Sequence, residues 1–318
     1  MDFKQLEYII KIAEENNITK AAEKLYISQS ALNQQLLKLE RELGVQLFHR
    51  SRTDWGLTQA GEIYVQGARE ALRIKKDTYN KINDIAKSRR GSLSVGLTPG
   101  RGIRMFTSIY PVLHKDCPEL AVTPLEMTVH SQQKAIARGE LDIGFMIMGA
   151  KQRGSDSYIT LGSEEMVVII PEGHPLSRLA APPGEPLAVI DIGLLRYEPF
   201  VLMYRESTGR EVCDDIFEAA GFAPNILLET SNTASIATMV RSTLCCGIIP
   251  RYYIEGQSEG LACFVLPEHP SLDLVIGYRR DSYLSYGARL FIRLAGEYWK
   301  NNLTAPQSSA SAPVNEGE

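Results

Sequence analysis

The stretch Thr19–Phe48, TKAAEKLYISQSALNQQLLKLERELGVQLF, decides how this chain is read. Thr19 suits the N-cap of a short helix, KAAEKL, in which Ala21 and Ala22 let a neighbouring helix approach closely. Tyr26 and Ile27 make a brief connection, and Ser28 caps a second helix that runs to about Leu43. Gly44 ends it, where a left-handed residue meets no Cβ clash. Two helices joined by so short a turn form a helix-turn-helix. At about 100° per residue, Leu32, Leu36 and Leu39 fall on one core-facing stripe of the second helix. The opposite side presents Gln29, Ser30, Asn33, Gln34, Leu37 and Arg41. A merely solvated face would favour Glu and Lys. Side-chain amides carry both a donor and an acceptor, the pair that matches N6 and N7 of adenine in the major groove. Gln29, Ser30, Asn33 and Gln34, with Lys38 beside them, are therefore expected to read base edges.

Upstream, Leu6, Ile9, Ile10 and Ala13 recur at helical spacing and give a first helix that ends near Asn16-Asn17. Downstream, VQLFHRSRTDWGL reads as two short apolar pieces around a polar turn, a small β wing. Arg50, Arg52 and Thr53 at its tip are expected to meet phosphates, contacts that position a reader without specifying sequence. Thr58 then caps a long helix from Gln59 to about Lys87. Ala60, Tyr64, Gly67, Ala71, Ile74, Thr78, Ile82 and Ile85 form a seam along it for a partner helix, so it is expected to pair two copies of the chain. Ser88–Ser92 is the hinge.

Beyond the hinge the pattern becomes α/β: SLSVGL, AVTPLEMT, LDIGFMIM, FVLM, NILLETS and CCGIIP read as strands alternating with helices, and LDLVIGYRR as a strand returning late. The expected organisation is a DNA-binding head over 1–58 and a linker helix with hinge over 59–90. An effector domain over 91–301 is built from subdomain I (91–162 and 267–301) and subdomain II (163–266). The tail over 302–318 is too poor in apolar residues to order itself.

Charge supports this division. Residues 1–90 carry 16 Lys/Arg against 12 Asp/Glu, and the remainder 18 against 26, so one end is suited to a polyanion. Through residue 66 the balance is 8 against 9, and the excess lies on 67–90. Fewer neutralised phosphates imply a shallower dependence of binding on salt. The five cysteines and five histidines show no metal spacing and no disulfide framework, so no metal or cofactor is expected. No signal peptide and no membrane-length apolar run is present, which points to the cytoplasm. No catalytic constellation stands out, and Gly100-Arg101-Gly102 is too short for a dinucleotide fingerprint. A transport receptor would need an export signal and no DNA-reading head.

The N-terminal residues carry a resemblance. FKQLEY, TKAAEKLYISQSAL, LERELGVQLFHR and LTQAG, in this order and spacing, resemble the LysR-type transcriptional regulators, echoed later by GELDIGF, PEGHPL and CGIIP. The resemblance covers all but the tail. It implies a winged helix-turn-helix, a linker-helix homodimer and a two-subdomain α/β effector domain like a type 2 periplasmic binding protein. It also implies a homotetramer on imperfectly palindromic double-stranded promoter DNA, and contact with RNA polymerase. The family's usual basic residues in the third helix are here Gln34 and Leu37.

In open α/β folds ligands lie at strand carboxyl ends, near helix N-termini. Three such termini are legible: Thr98-Pro99-Gly100-Arg101, Thr128 with His130, and Ser231-Asn232. Met203 ends a further strand as an apolar wall. Thr98, Thr128 and Ser231 align with positions where the family places polar ligand contacts. Arg101 is expected either to hold an anion or to be solvated. A small molecule is thus the expected switch, with a thiol switch as the alternative. Cys213, beside Asp214 and Asp215, is expected to be the most exposed thiol, dulled by those acids.

Overall fold

The computed structural model describes residues 2–50 and 55–303, with Arg50 by its backbone alone. The head opens with helices α1 (Phe3–Glu15), α2 (Ile18–Lys24) and α3 (Gln29–Leu43). Its core is the predicted apolar set: Leu6, Ile9, Leu32, Leu36 and Leu39 are buried, and so are Ala21 and Ala22. One cap differs from expectation. Asn17, not Thr19, caps α2, its side-chain oxygen accepting from the Thr19 and Lys20 amides at 2.9 and 3.1 Å. An N-cap accepts from the amides two and three residues on, so the helix begins one residue before Thr19. The wing is an antiparallel pair, β1 (Phe48–Arg50) and β2 (Trp55–Leu57), with Phe48 stacked on Trp55.

Helix α4 (Gln59–Ile85) comes next, capped by Thr58 as predicted. It begins hard against the head. A Cβ added at Gly61 would lie 2.0 Å from the Leu47 carbonyl oxygen, so only glycine fits there. Val65 and Ala68 bury against the head, whereas Ile74, Tyr79, Ile82 and Ile85 remain exposed. Polar contacts also tie the helix to the regulatory part of the chain. Arg69 pairs with Glu140, Lys76 with Asp142 and Arg279 with Glu70. Asp84 accepts from the Tyr286 amide, the Tyr283 hydroxyl and Arg289.

The regulatory part has two halves. In the first, β3 (Gly91–Leu97), α5 (Arg101–Asp116), β4 (Leu120–Glu126), α6 (Val129–Ala137) and β5 (Ile143–Met148) form parallel β–α units. The fifteen-residue strand β6 (Ser157–Pro171) then carries the chain across. The second half holds β7 (Ala188–Val189), β8 (Pro199–Met203), α7 (Thr208–Ala219), β9 (Asn225–Thr230), α8 (Thr233–Arg241), β10 (Cys246–Pro250) and β11 (Leu261–Val265). Strand β12 (Ser271–Tyr278) returns to the first half, and α9 (Tyr286–Asn302) packs there last.

The strand order is β4-β3-β5-β12-β6-β10-β8-β9, with β11 on β6 and β7 on β11. The first part of β6 pairs with β12 and its last part with β10 and β11, so a single strand belongs to both halves. Each half has its own buried cluster, one around Phe145, Phe291 and Trp299 and the other around Phe200, Phe217 and Phe264. Two residues expected in the tail belong to the fold: Asn302 closes α9 and Leu303 packs on that core, while 304–318 lie outside the described residues. Among the described residues no helix is long and apolar enough to cross a membrane.

Candidate DNA-reading face and effector cleft

Helix α3 buries its leucine stripe and leaves Gln29, Ser30, Gln34, Lys38 and Arg41 outside the core, with Asn33 half-buried. Ser28 is committed to capping: its oxygen accepts from the Ala31 amide at 3.2 Å and meets the Ser30 hydroxyl at the same distance. The side-chain amides of Gln29, Asn33 and Gln34 make no hydrogen bond among the described residues. Lys38 stands 4.0 Å from exposed Glu42, a pairing that water screens strongly. Arg41 donates to the Leu37 carbonyl. The side chain of Arg50, and Arg52 and Thr53 entirely, lie outside the described residues.

In the regulatory part, four helices point their N-termini at one cavity of about 130 Å³ between the two halves. Thr98, Pro99 and Arg101 approach it from α5, Thr128 and Val129 from α6, Ser207 and Thr208 from α7, and Ser231 and Thr233 from α8. Met203, Ile147, Pro250, Tyr253 and Leu272 supply apolar wall. The N-terminus of α7 is not among the three expected from sequence; its signal is Ser207, which comes after the FVLM strand and caps α7 through the Arg210 amide. Three expected residues do not line the cavity. Gly100 is the N-cap of α5, with φ +69° and no side chain to cap the first turn. Asn232 is occupied in capping α8 through the Ala234 amide. His130 opens onto a neighbouring groove, 3.2 Å from Glu211.

The hydroxyls differ in what they have left to give. Thr208 donates to the Ile147 carbonyl at 2.6 Å, and Thr128 donates to Ser131 at 3.0 Å. The Thr98 oxygen is buried without a partner. An unsatisfied buried hydroxyl is costly, and such groups are rare in folded proteins.

Arg101 is not solvated, and here the structure corrects that alternative. It is 5% exposed, with one guanidinium nitrogen 2.5 Å from Glu164, itself buried in β6. Glu164 also accepts from the Tyr252 amide at 2.8 Å. The guanidinium lies over Tyr252, 4.0 Å from the ring centre, with Trp299 at 4.9 Å. Its Nε and second terminal nitrogen are buried without acceptors.

One thiol, Cys213, also departs from expectation. All five cysteines are buried, Cys213 fully. Burial first, and Asp214 second, pushes the Cys213 thiol up to about 12. Its position on α7 faces the sheet, where the sulfur approaches the Ile248 carbonyl. Flanking acids mark the exposed side of the helix and not this residue.

Residues 3–62 match the family model described as bacterial regulatory helix-turn-helix protein, lysR family, and residues 86–300 match that of the LysR substrate binding domain. The chain belongs to the LysR family of transcriptional regulators. Among curated relatives it is 27% identical to the uncharacterized HTH-type transcriptional regulator YcgK of Bacillus subtilis, over 94% of this chain and 95% of the relative. It is 29% identical to YwbI of the same organism, also an uncharacterized HTH-type regulator, over 98% and 99%. Among solved structures, a full-length single-residue variant of OxyR from Pseudomonas aeruginosa is 25% identical, with a TM-score of 0.65, covering 93% of this chain and 94% of that one. This regulator is thus a DNA-binding protein with a helix-turn-helix head and an effector-binding α/β domain.

Proposed function

We propose that this regulator reads promoter DNA through α3 of paired copies and is switched by a small anionic molecule in the cavity where four helices begin. The observation that carries the effector reading is the set of unpaired buried donors beside that cavity: the Thr98 hydroxyl and two Arg101 nitrogens. Helix N-termini favour negative charge, and four of them converge here. The cavity, at about 130 Å³, is comparable to one that holds benzene, so the effector is compact. Thr98, Thr128, Ser231 and Met203 contact it, beside the Arg101 guanidinium, whose charge Glu164 balances. Burial of every thiol favours this switch over a cysteine one. On DNA, two α3 helices enter major grooves of half-sites roughly 34 Å, or a multiple of it, apart, with the wing tip on phosphates. Pairing through the exposed face of α4, assembly into a tetramer and contact with RNA polymerase complete the reading.

The test is a set of small carboxylates and their neutral amides, applied to wild type and to Thr98→Val and Ser231→Ala. A carboxylate is expected to raise the melting temperature and alter promoter binding, and its amide to do neither. Each variant is expected to bind that carboxylate about three- to tenfold more weakly with DNA affinity unchanged. Equal responses to acid and amide, or full responses in both variants, would place the effector site elsewhere.

A further inference from the structure

Three helices of the head end on a residue in the left-handed region, and the chain fills those places unequally. Helix α1 ends on Asn16 at φ +44°, and α3 ends on Gly44 at φ +72°. Helix α2 ends through Tyr26 at φ +55°. There the Tyr26 amide donates to the Glu23 carbonyl at 3.1 Å and the Ile27 amide to the Ala22 carbonyl at 3.1 Å, the two bonds of a Schellman motif. The left-handed place in that motif is normally taken by glycine, or by asparagine, as the other two helices illustrate. A bulky L residue is disfavoured there because its Cβ crowds the backbone. Packing does not offset this: Tyr26 is 95% exposed, so its ring covers almost nothing. The fold gains nothing from this ring, and glycine would serve the turn better.

The ring's place is informative. Tyr26 is the middle of the turn, two residues before Ser28, which caps the groove-reading helix. In a helix-turn-helix the first helix crosses the DNA backbone and the second enters the groove by its N-terminus. A turn residue therefore stands at phosphate height. Tyrosine hydroxyls are among the groups that donate to phosphate oxygens. We infer that Tyr26 is a DNA-contacting residue whose phenol hydroxyl donates to a backbone phosphate and fixes the depth at which α3 enters the groove. The inference rests on α3 being the reading helix. Such a bond neutralises no phosphate, so it adds affinity without adding to the salt dependence, unlike a Lys or Arg contact.

The test uses the full-length protein, a random-sequence duplex pool and the duplex enriched from it by wild type. Tyr26→Phe is expected to bind enriched and random duplexes alike about three- to tenfold more weakly, with the salt slope and preferred sequence unchanged. Tyr26→Gly is expected to bind at least as weakly while melting no lower than wild type. Wild-type affinity in Tyr26→Phe, a changed preferred sequence, or a lower melting temperature in Tyr26→Gly would each overturn the inference. Asn33→Ala, run in parallel, tests the underlying reading separately. If its preferred sequence is unchanged, α3 does not read bases through that amide, whatever Tyr26 does.

Discussion

Glu164→Gln removes one charge of the buried pair and leaves the other where it is. Arg101 is 5% exposed and stacked against Tyr252, so its guanidinium is largely cut off from water. Its nearest carboxylate oxygen is 2.5 Å away, and two of its nitrogens already lack acceptors. Losing one member of such a pair costs about 3–5 kcal/mol, because the remaining charge is uncompensated. For a domain of this size each kcal/mol moves the midpoint about 2–4 °C, so the regulatory domain should melt about 6–20 °C lower. The pair itself need not be stabilising. Arg101→Met with Glu164→Leu removes both charges together, and such replacements are often neutral or better. Calorimetry of both variants is the assay, with the head's DNA binding as a control for folding. The reasoning is refuted if Glu164→Gln loses less than about 1 kcal/mol, or if the double variant is no more stable than the single one.

Ile74 is 55% exposed on α4, so Ile74→Asp should leave each chain folded. If that face pairs two copies, two buried isoleucines are lost per dimer, weakening it about 10²–10⁴-fold, and sedimentation should show monomers. An unchanged oligomer would remove this face from the interface. Cys213 should resist alkylation in the folded protein at pH 8, since burial holds its thiol protonated up to about 12; modification at the rate of a free thiol would contradict the buried placement. The same shift makes stability depend on pH. Between the ordinary value of 9.0 and about 12 the unfolded chain sheds this proton and the folded chain keeps it, so stability falls as pH rises through that window, and less so in Cys213→Ala.

Periodicity makes the head legible. The stripe of Leu32, Leu36 and Leu39 and the caps at Ser28 and Thr58 depend on neighbours three or four residues away, which a sequence displays directly. Asn17 and Thr19 are both good caps in nearby positions, and only the backbone decides between them. Strand β6 escapes a pattern reading because Glu164 and Glu165 interrupt it, and its apolar end, MVVII, is too short to assign by period. Three of the four helix N-termini at the cavity are readable as polar residues after strands. The partner of Arg101 is not, since Glu164 is 63 residues distant and nothing local announces a pairing across the sheet. Burial of Cys213 is hidden for a related reason: flanking acids describe the helix surface, not the face turned to the sheet.

The order in which the sheet is assembled bears on the life of the newly made protein. Strand β12, near the end of the chain, pairs between β5 and β6, and α9 covers that core only after residue 286. A ribosome therefore releases the reading head long before the sensor can close. At about 5–20 residues per second the roughly 200 residues in between take about 10–40 s. During that interval the nascent chain carries a complete head sequence and a sensor that still lacks the strand between β5 and β6. Chains cut short between α4 and α9 would carry all the residues of the head but lack the strand and helix that complete the sensor. Completion of the sensor is accordingly left to the final strand and helix, the last parts of the fold to leave the ribosome.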